Sequence, residues 1–179
     1  MAPIVASYDF SAYPTIVDVG GGHGRLLAAI LAATPNIRGV LYDLPHVVAA
    51  APTPLREHGV SDRVCIVEGS FFDNVPERGD AYILKNVIHD WPDEKAAQIL
   101  RNVRTLARAG ATVLLVELVI PEHNREFLGK WVDLEMLLCS AARERTAAEY
   151  RDPLERAGFR MTRVVPTASP ASIVEATAV

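Results

Sequence analysis

Apolar residues recur along this chain in two rhythms that alternate from end to end. Short β-branched or unbroken apolar runs at Thr15–Val19, Gly39–Tyr42, Arg63–Val67, Ala81–Leu84 and Thr112–Val119 have the length and composition of strands. Between them, stretches over about 24–34, 46–58 and 93–108 repeat with helical spacing. The third is the clearest: Ala96, Ile99, Leu100, Val103 and Leu106 share one face, while Arg101, Arg104 and Arg108 fall off it. Asp93 and Glu94 occupy its positive end. In the second, Pro52 and Pro54 remove backbone donors, so a break or restart is expected. Beyond Pro121 the pattern predicts a long helix to about Ser140, another over Ala147–Ala157, and two short strands, Phe159–Val165 and Ser172–Glu175. Strands alternating with helices imply a mostly parallel sheet covered on both faces, an α/β fold. Residues 1–14 read as a leading arm or linker and 15–179 as one domain.

Composition narrows the classes. The chain has 179 residues, half of them hydrophobic, enough for one substantial core. A net charge of −4 and the absence of any basic run give no footing for nucleic acid. No basic-then-apolar leader opens the sequence, and no apolar stretch approaches the roughly 18 residues of a membrane helix. A cytoplasmic protein without a membrane partner is expected. Cys65 and Cys139 lack metal-ligand spacing and read as small buried hydrophobes.

The candidate chemistry starts at Val-Asp-Val-Gly-Gly-Gly-His-Gly, residues 17–24. A strand runs into a glycine turn and then into the alanine-rich start of a helix, and the glycines let a ligand approach where a Cβ would collide. A dinucleotide loop, Gly-x-Gly-x-x-Gly counted from Gly20, would need its third glycine at position 25, where Arg25 stands. That weakens a nicotinamide reading. What stands instead is Asp18-x-Gly20-x-Gly22-x-Gly24, with Asp43 following 19 residues after Gly24 at the end of an apolar run. A carboxylate there can accept both hydroxyls of a ribose. The helix start after Gly24 favours an anion, and the carboxylate of a methionine moiety would serve. Ribose plus amino acid points to S-adenosyl-L-methionine.

Further motifs follow in order: Tyr-Asp-Leu-Pro (42–45), Gly-Ser-Phe-Phe-Asp (69–73), Leu-Lys-Asn-Val-Ile-His-Asp-Trp (84–91), Val-Glu (116–117) and Glu-Arg-Thr (144–146). With the glycine segment, and from Thr15 to about Val174, they resemble the catalytic domain of the caffeic-acid and hydroxyindole type O-methyltransferases and their bacterial natural-product relatives. The resemblance implies a Rossmann-like class I methyltransferase fold, a seven-stranded sheet with a C-terminal antiparallel pair. It implies S-adenosyl-L-methionine as cofactor, S-adenosyl-L-homocysteine as product, no metal, and methylation of a phenolic or polyketide-type hydroxyl in secondary metabolism.

Residue by residue, the resemblance places Asp43 on the ribose, with Leu44 beside it, Ser70 and Phe71 about the adenine, and Lys85 beside the methionine moiety. Trp91 would cover the cofactor or simply pack. His89 occupies the general-base position, and Glu117 and Glu144 stand in the role of carboxylates that raise its basicity and fix its tautomer. Chemistry asks for that help: moving a proton from a phenol near pKa 10 to an imidazole near 6.5 is uphill by roughly 5 kcal/mol. Glu117 interrupts an otherwise apolar strand, where an unpartnered buried carboxylate costs several kcal/mol. Asp90 and Asp133 also match the family pattern. Met136, Leu137 and Ser140 would line the acceptor pocket. Histidines 46, 58 and 123 read as solvated.

The sequence departs from the family in three places. Ser70 stands where many relatives carry aspartate, and Ala141 and Ala142 replace two glycines before Glu144. Full-length relatives also carry an N-terminal helical domain that dimerises and closes the acceptor pocket, whereas this chain starts almost at the first strand. Weak or absent catalysis by the isolated chain is therefore expected unless another polypeptide, a homodimer partner or the missing N-terminal domain, supplies the wall. Two readings stay open: a catalytic O-methyltransferase domain, and a cofactor-binding module without its own activity that needs a partner domain.

Overall fold

The computed structural model of the chain describes residues 1–75, 78–140 and 142–179, with residues 139 and 140 described in backbone only. The expectations placed on the side chains of Cys139 and Ser140 and on Ala141 lie outside the described residues.

Five strands, β1 (Thr15–Val19), β2 (Arg38–Asp43), β3 (Val64–Glu68), β4 (Ala81–Lys85) and β5 (Thr112–Glu117), pair in parallel. Two short strands follow, β6 (Val119–Ile120) and β7 (Arg145–Thr146), which pair with each other apart from the main sheet. The chain closes with β8 (Phe159–Pro166) and β9 (Ser172–Ala178), and β9 lies antiparallel to both β5 and β8. The main sheet has seven strands in the order β3-β2-β1-β4-β5-β9-β8. Strand order reverses between β1 and β4, which opens a crevice beyond their carboxyl ends. This is the expected seven-stranded, mostly parallel α/β architecture with its terminal antiparallel pair.

Among the described residues, seven α-helices accompany the strands: α1 (Ala2–Ser7), α2 (Arg25–Ala33), α3 (Pro45–Val48), α4 (Pro52–Glu57), α5 (Asp93–Leu106), α6 (Gly129–Ser140) and α7 (Ala147–Arg156). Side chains alternate across the strands, so neighbouring residues feed opposite cores. Val17, Tyr82, Val113 and Leu115 pack with Ile99, Leu100 and Val103 of α5 and with Tyr150 and Leu154 of α7. Ile16, Leu41, Ile83 and Leu114 pack with Leu27, Ile30 and Leu31 of α2 and Leu55 of α4. Ile99, Leu100 and Val103 are fully buried, which stabilises α5 on the sheet by roughly 1.5–3 kcal/mol per side chain. The prolines divide the second helical stretch into α3 and α4, as expected. No helix among the described residues is long and apolar enough to cross a membrane.

The leading residues 1–14 pack on the body: Ile4, Tyr8 and Phe10 bury in the α2-side core and the Tyr8 hydroxyl donates to Glu175 Oε2 at 2.6 Å. Other elements differ from the sequence reading. The fifth strand stops at Glu117 rather than at Val119, since Val119 and Ile120 turn away to pair with Arg145 and Thr146. The helix expected soon after Pro121 starts only at Gly129; residues 121–126, Pro-Glu-His-Asn-Arg-Glu, carry no apolar stripe to pack. Cys65 is exposed, which corrects its reading as a buried hydrophobe. It lies on β3, the sheet's edge, where the chain runs on into an irregular loop instead of a covering helix.

Candidate active site

The glycine turn at the end of β1 forms the centre of the crevice. Gly20, Gly22 and Gly24 hold φ values of 69°, 61° and 74°, a region costly for residues with a Cβ. The turn is pinned to β2: the amides of Gly20 and Gly21 donate to the Tyr42 carbonyl at 2.8 and 3.3 Å. The Gly22 amide donates to Asp43 Oδ2 at 2.8 Å, and the Leu44 amide to Asp43 Oδ1 at 2.7 Å. A Cβ on Gly20 would lie 2.8 Å from Val87 and 3.3 Å from the Phe71 ring. The loops after β1, β3 and β4 therefore meet at this one glycine. A crevice of about 340 Å³ opens beside it, lined by Asp18, Gly20–Gly22, His23 and Lys85, with Met1 at its edge.

Asp18 is buried in the crevice wall and its Oδ2 has no partner among the described residues. Burial first, then the Asp43 carboxylate, push its pKa up to about 7 against the opposing pull of Lys85. Phe71 abuts Gly20, and its carbonyl is held by the Asn102 side chain at 2.8 Å. Ser70 uses its hydroxyl locally, accepting from the Phe72 amide at 3.2 Å. Trp91 packs edge-on against Phe72, with ring centroids 4.6 Å apart, and Leu44 is 40% exposed. Of the cofactor candidates, Asp18, Gly20, Gly22 and Lys85 line the crevice and Asp43 grips its rim. Gly24 starts α2, and Leu44, Ser70 and Trp91 do not line it.

His89 sits in a helical turn, Ile88–Asp90, directly after β4. Its Nδ1 lies 2.8 Å from Glu144 Oε1, and its Nε2 lies 3.3 Å from Asp90 Oδ1. Glu144 reaches the ring from the residue before β7; its own amide donates to Asp133 on α6 at 2.9 Å. Glu117 ends β5, fully buried, and its Oε1 accepts the amides of Val87 and Ile88 at 3.1 and 2.9 Å. Only Glu144 of the two glutamates hydrogen-bonds the imidazole; Glu117 anchors the turn that presents it. Burial alone would lower the His89 pKa, but the Glu144 hydrogen bond and the fields of Glu117, Glu144 and Asp90 outweigh it, and the net direction is up. Burial pushes Glu117 up to about 7, partly offset by His89 and the two amides.

One ligand atom from each of His89, Glu117 and Glu144 falls within 4.8 Å of the others, a spacing that could also admit a cation. Nδ1 and Glu144 Oε1 engage each other and Glu117 Oε1 holds two amides, while Glu117 Oε2 and Glu144 Oε2 have no partner among the described residues. With Nδ1 committed to Glu144, Nε2 is the nitrogen left to accept a proton.

Sequence reasoning missed two participants. Arg145, fully buried, is the guanidinium that hydrogen-bonds the carbonyls on either side of His89, at Ile88 and Trp91. It was visible only as the middle letter of Glu-Arg-Thr, and no hydropathy rule finds a buried arginine. Tyr150 buries its hydroxyl without a partner among the described residues, and its ring centroid lies 5.9 Å from the Arg145 guanidinium. On α6, Leu137 is 62% exposed, so it faces open space. Histidines 46, 58 and 123 are exposed, as expected.

Comparison with known proteins gives a consistent picture. The O-methyltransferase domain family matches residues 1–160. A phenazine O-methyltransferase of Lysobacter antibioticus, PhzM, is 50% identical over 173 residues, covering 97% of this chain and 51% of that protein. The solved structure of LaPhzM superimposes with a TM-score of 0.95 at 48% identity, over 99% of this chain and 54% of that one. NcsB1, an O-methyltransferase from neocarzinostatin biosynthesis solved with S-adenosylmethionine and 2-hydroxy-5-methyl naphthoic acid, gives 0.90 at 38% identity, over 99% and 53%. This chain spans about half the length of the relatives it matches.

Proposed function

The chain belongs to the O-methyltransferase domain family, and from that footing we propose that it binds S-adenosyl-L-methionine and passes its methyl group to a hydroxyl of a small aromatic or polyketide-type molecule. The residues of the crevice fit that cofactor. The orphaned Asp18 Oδ2 offers an acceptor beside Lys85, and no atom stands within 4 Å of the position a Cβ on Gly22 would take. Asp43 would accept the ribose hydroxyls through lone pairs left free by its two amide contacts. Phe71 and Ser70 would border the adenine, with Leu44 and Trp91 outside them. Asp18 and Lys85 would face the charged groups of the methionine moiety. When bound, the cofactor supplies an electrophilic methyl carbon on a sulfonium.

The chain's own task is then to orient the acceptor hydroxyl and remove its proton. His89 Nε2 takes that proton as the oxygen attacks. The Nδ1 proton, held by Glu144, fixes the tautomer that leaves Nε2 bare, and the nearby carboxylates stabilise the imidazolium that forms. Glu117 keeps the turn in place. The observation that carries this reading is the His89–Glu144 contact on a turn pressed against the glycine loop through Val87.

A second reading is favoured by the outer face of α6, where Trp131, Leu134, Leu137 and Leu138 are 51–79% exposed. In it the chain binds the cofactor but transfers methyl groups only when a further polypeptide, a second copy or a separate domain, covers that face. Calorimetry with S-adenosyl-L-homocysteine, followed by assays of hydroxylated aromatics with labelled methyl donor, separates the two. In a working enzyme His89→Ala abolishes transfer and leaves the calorimetric affinity intact. Transfer that survives the substitution removes His89 from the mechanism; tight binding with no transfer by the unaltered chain supports the second reading.

A further inference from the structure

Arg145 has the largest side chain among the fully buried residues, with its guanidinium 0% exposed. Its nitrogens make five hydrogen bonds: Nε and Nη2 to Asp93 Oδ1 at 3.1 and 2.8 Å, Nη1 to the carbonyls of Ile88 and Arg143 at 3.0 and 3.3 Å, and Nη2 to the carbonyl of Trp91 at 2.9 Å. The carbonyls of Ile88 and Trp91 bracket His89 and Asp90. From the other side Glu117 holds the amides of Val87 and Ile88, and the Arg143 amide donates to the His89 carbonyl at 3.2 Å. The turn carrying the imidazole is thus gripped by its amides through one glutamate and by its carbonyls through one arginine.

Arg145 is itself held rigidly. It pairs with Val119 in the β6–β7 ladder, and the next residue, Thr146, caps α7 in a capping box with Glu149. Glu144, the partner of His89, is its immediate neighbour in the chain. We infer that Arg145 is a positioning residue for the proton transfer: its planar fork ties the His89 turn to the segment bearing Glu144 and so sets the imidazole–carboxylate contact. Only arginine has the donor geometry to reach a carboxylate and three carbonyls at once; lysine's single nitrogen has three donors and no fixed plane. The inference rests on the reading of His89 as base.

The test follows the His89 ring by NMR titration, beside calorimetry with S-adenosyl-L-homocysteine and steady-state kinetics, in Arg145→Lys, Arg145→Met and Asp93→Asn. His89 is faced by Glu144, Glu117 and Asp90, and loosening the turn weakens the first contact. In Arg145→Met the imidazole pKa is expected to fall toward the free value, kcat to drop roughly tenfold or more, and KM and the calorimetric affinity to stay within about twofold. Arg145→Lys should recover part of both losses. If Arg145→Met does not fold, Arg145→Lys and Asp93→Asn carry the test by the same pKa readout. An unchanged His89 titration in all folded variants, or a rate loss that only follows the folded fraction, overturns the proposal. Because the titration needs no turnover, a His89→Ala variant that keeps its activity would sink the general-base reading without altering the titration result for Arg145.

Discussion

Nδ1 of His89 and Oε1 of Glu144 stand 2.8 Å apart although 55 residues separate them in the chain. The contact exists because β4 delivers one partner and the small β6–β7 ladder delivers the other, and it joins an imidazole to a buried carboxylate.

Glu144→Gln removes the charge and keeps the shape. The His89 pKa is raised above 6.5, and only the unprotonated ring can accept a proton, so the rate should climb with pH and level off above that raised value. In Glu144→Gln the inflection should move down toward 6.5 while the plateau falls by roughly tenfold to a hundredfold. Rates measured from about pH 5 to pH 9 decide it; an unmoved inflection would mean that Glu144 does not set the basicity.

Gly20→Ala meets two obstacles, a φ of 69° and a Cβ placed 2.8 Å from Val87. It should cost about 1–3 kcal/mol of stability and weaken binding of S-adenosyl-L-homocysteine. Gly59→Ala is the control, since its φ of 66° is similar but its Cβ would have open space. That variant should pay only the backbone penalty, about 1–2 kcal/mol, with binding intact. Denaturant midpoints and calorimetry on both variants separate backbone strain from crowding.

Asp18 gives a pH signature. Its carboxyl ionises near 3.8 when free and near 7 in the folded chain. Between those values the folded protein keeps a proton that the unfolded chain releases, so this group supports the fold fully below about pH 4 and its support is lost as pH rises to about 7. Asp18→Asn cannot titrate. It should melt at a higher temperature than the unaltered protein at pH 8 while binding the cofactor product more weakly; a lower melting temperature at pH 8 would contradict the burial argument.

Tyr150 carries a buried hydroxyl with no partner among the described residues, and burial raises its pKa well above the usual 10. Removing an unpaired hydroxyl restores no lost bond, so Tyr150→Phe should leave stability unchanged or raise it by up to about 1 kcal/mol. A loss of more than that in chemical denaturation would show that the hydroxyl is hydrogen-bonded in solution.

Where one local rule dominates, sequence and structure coincide. β1 runs over Thr15–Val19 as its β-branched run predicts, and α5 ends two residues before the expected limit because Ala107 turns extended after its amide bonds Val103. Pro52 breaks the second helical stretch as its missing donor requires. What escaped was non-local. A two-residue ladder such as β6–β7 has no periodicity to detect, yet it sets the position of Glu144 and Arg145. Cys65 sits in a run that reads as buried, and its exposure follows from β3 being last in the sheet order, a property of topology rather than of its neighbours in the chain. Glu117 stood out as a charge in an apolar strand, but that it holds two amides instead of the ring depends on how the turn after β4 folds back.

Asp43 already has both carboxylate oxygens engaged, one by the amide of Gly22 and one by that of Leu44. Its rotamer is frozen by folding itself, before any nucleoside arrives. If Asp43 takes the ribose as proposed, the sugar would meet a finished seat, with little ordering entropy left to lose at this end of the cleft and an encounter close to rigid-body docking.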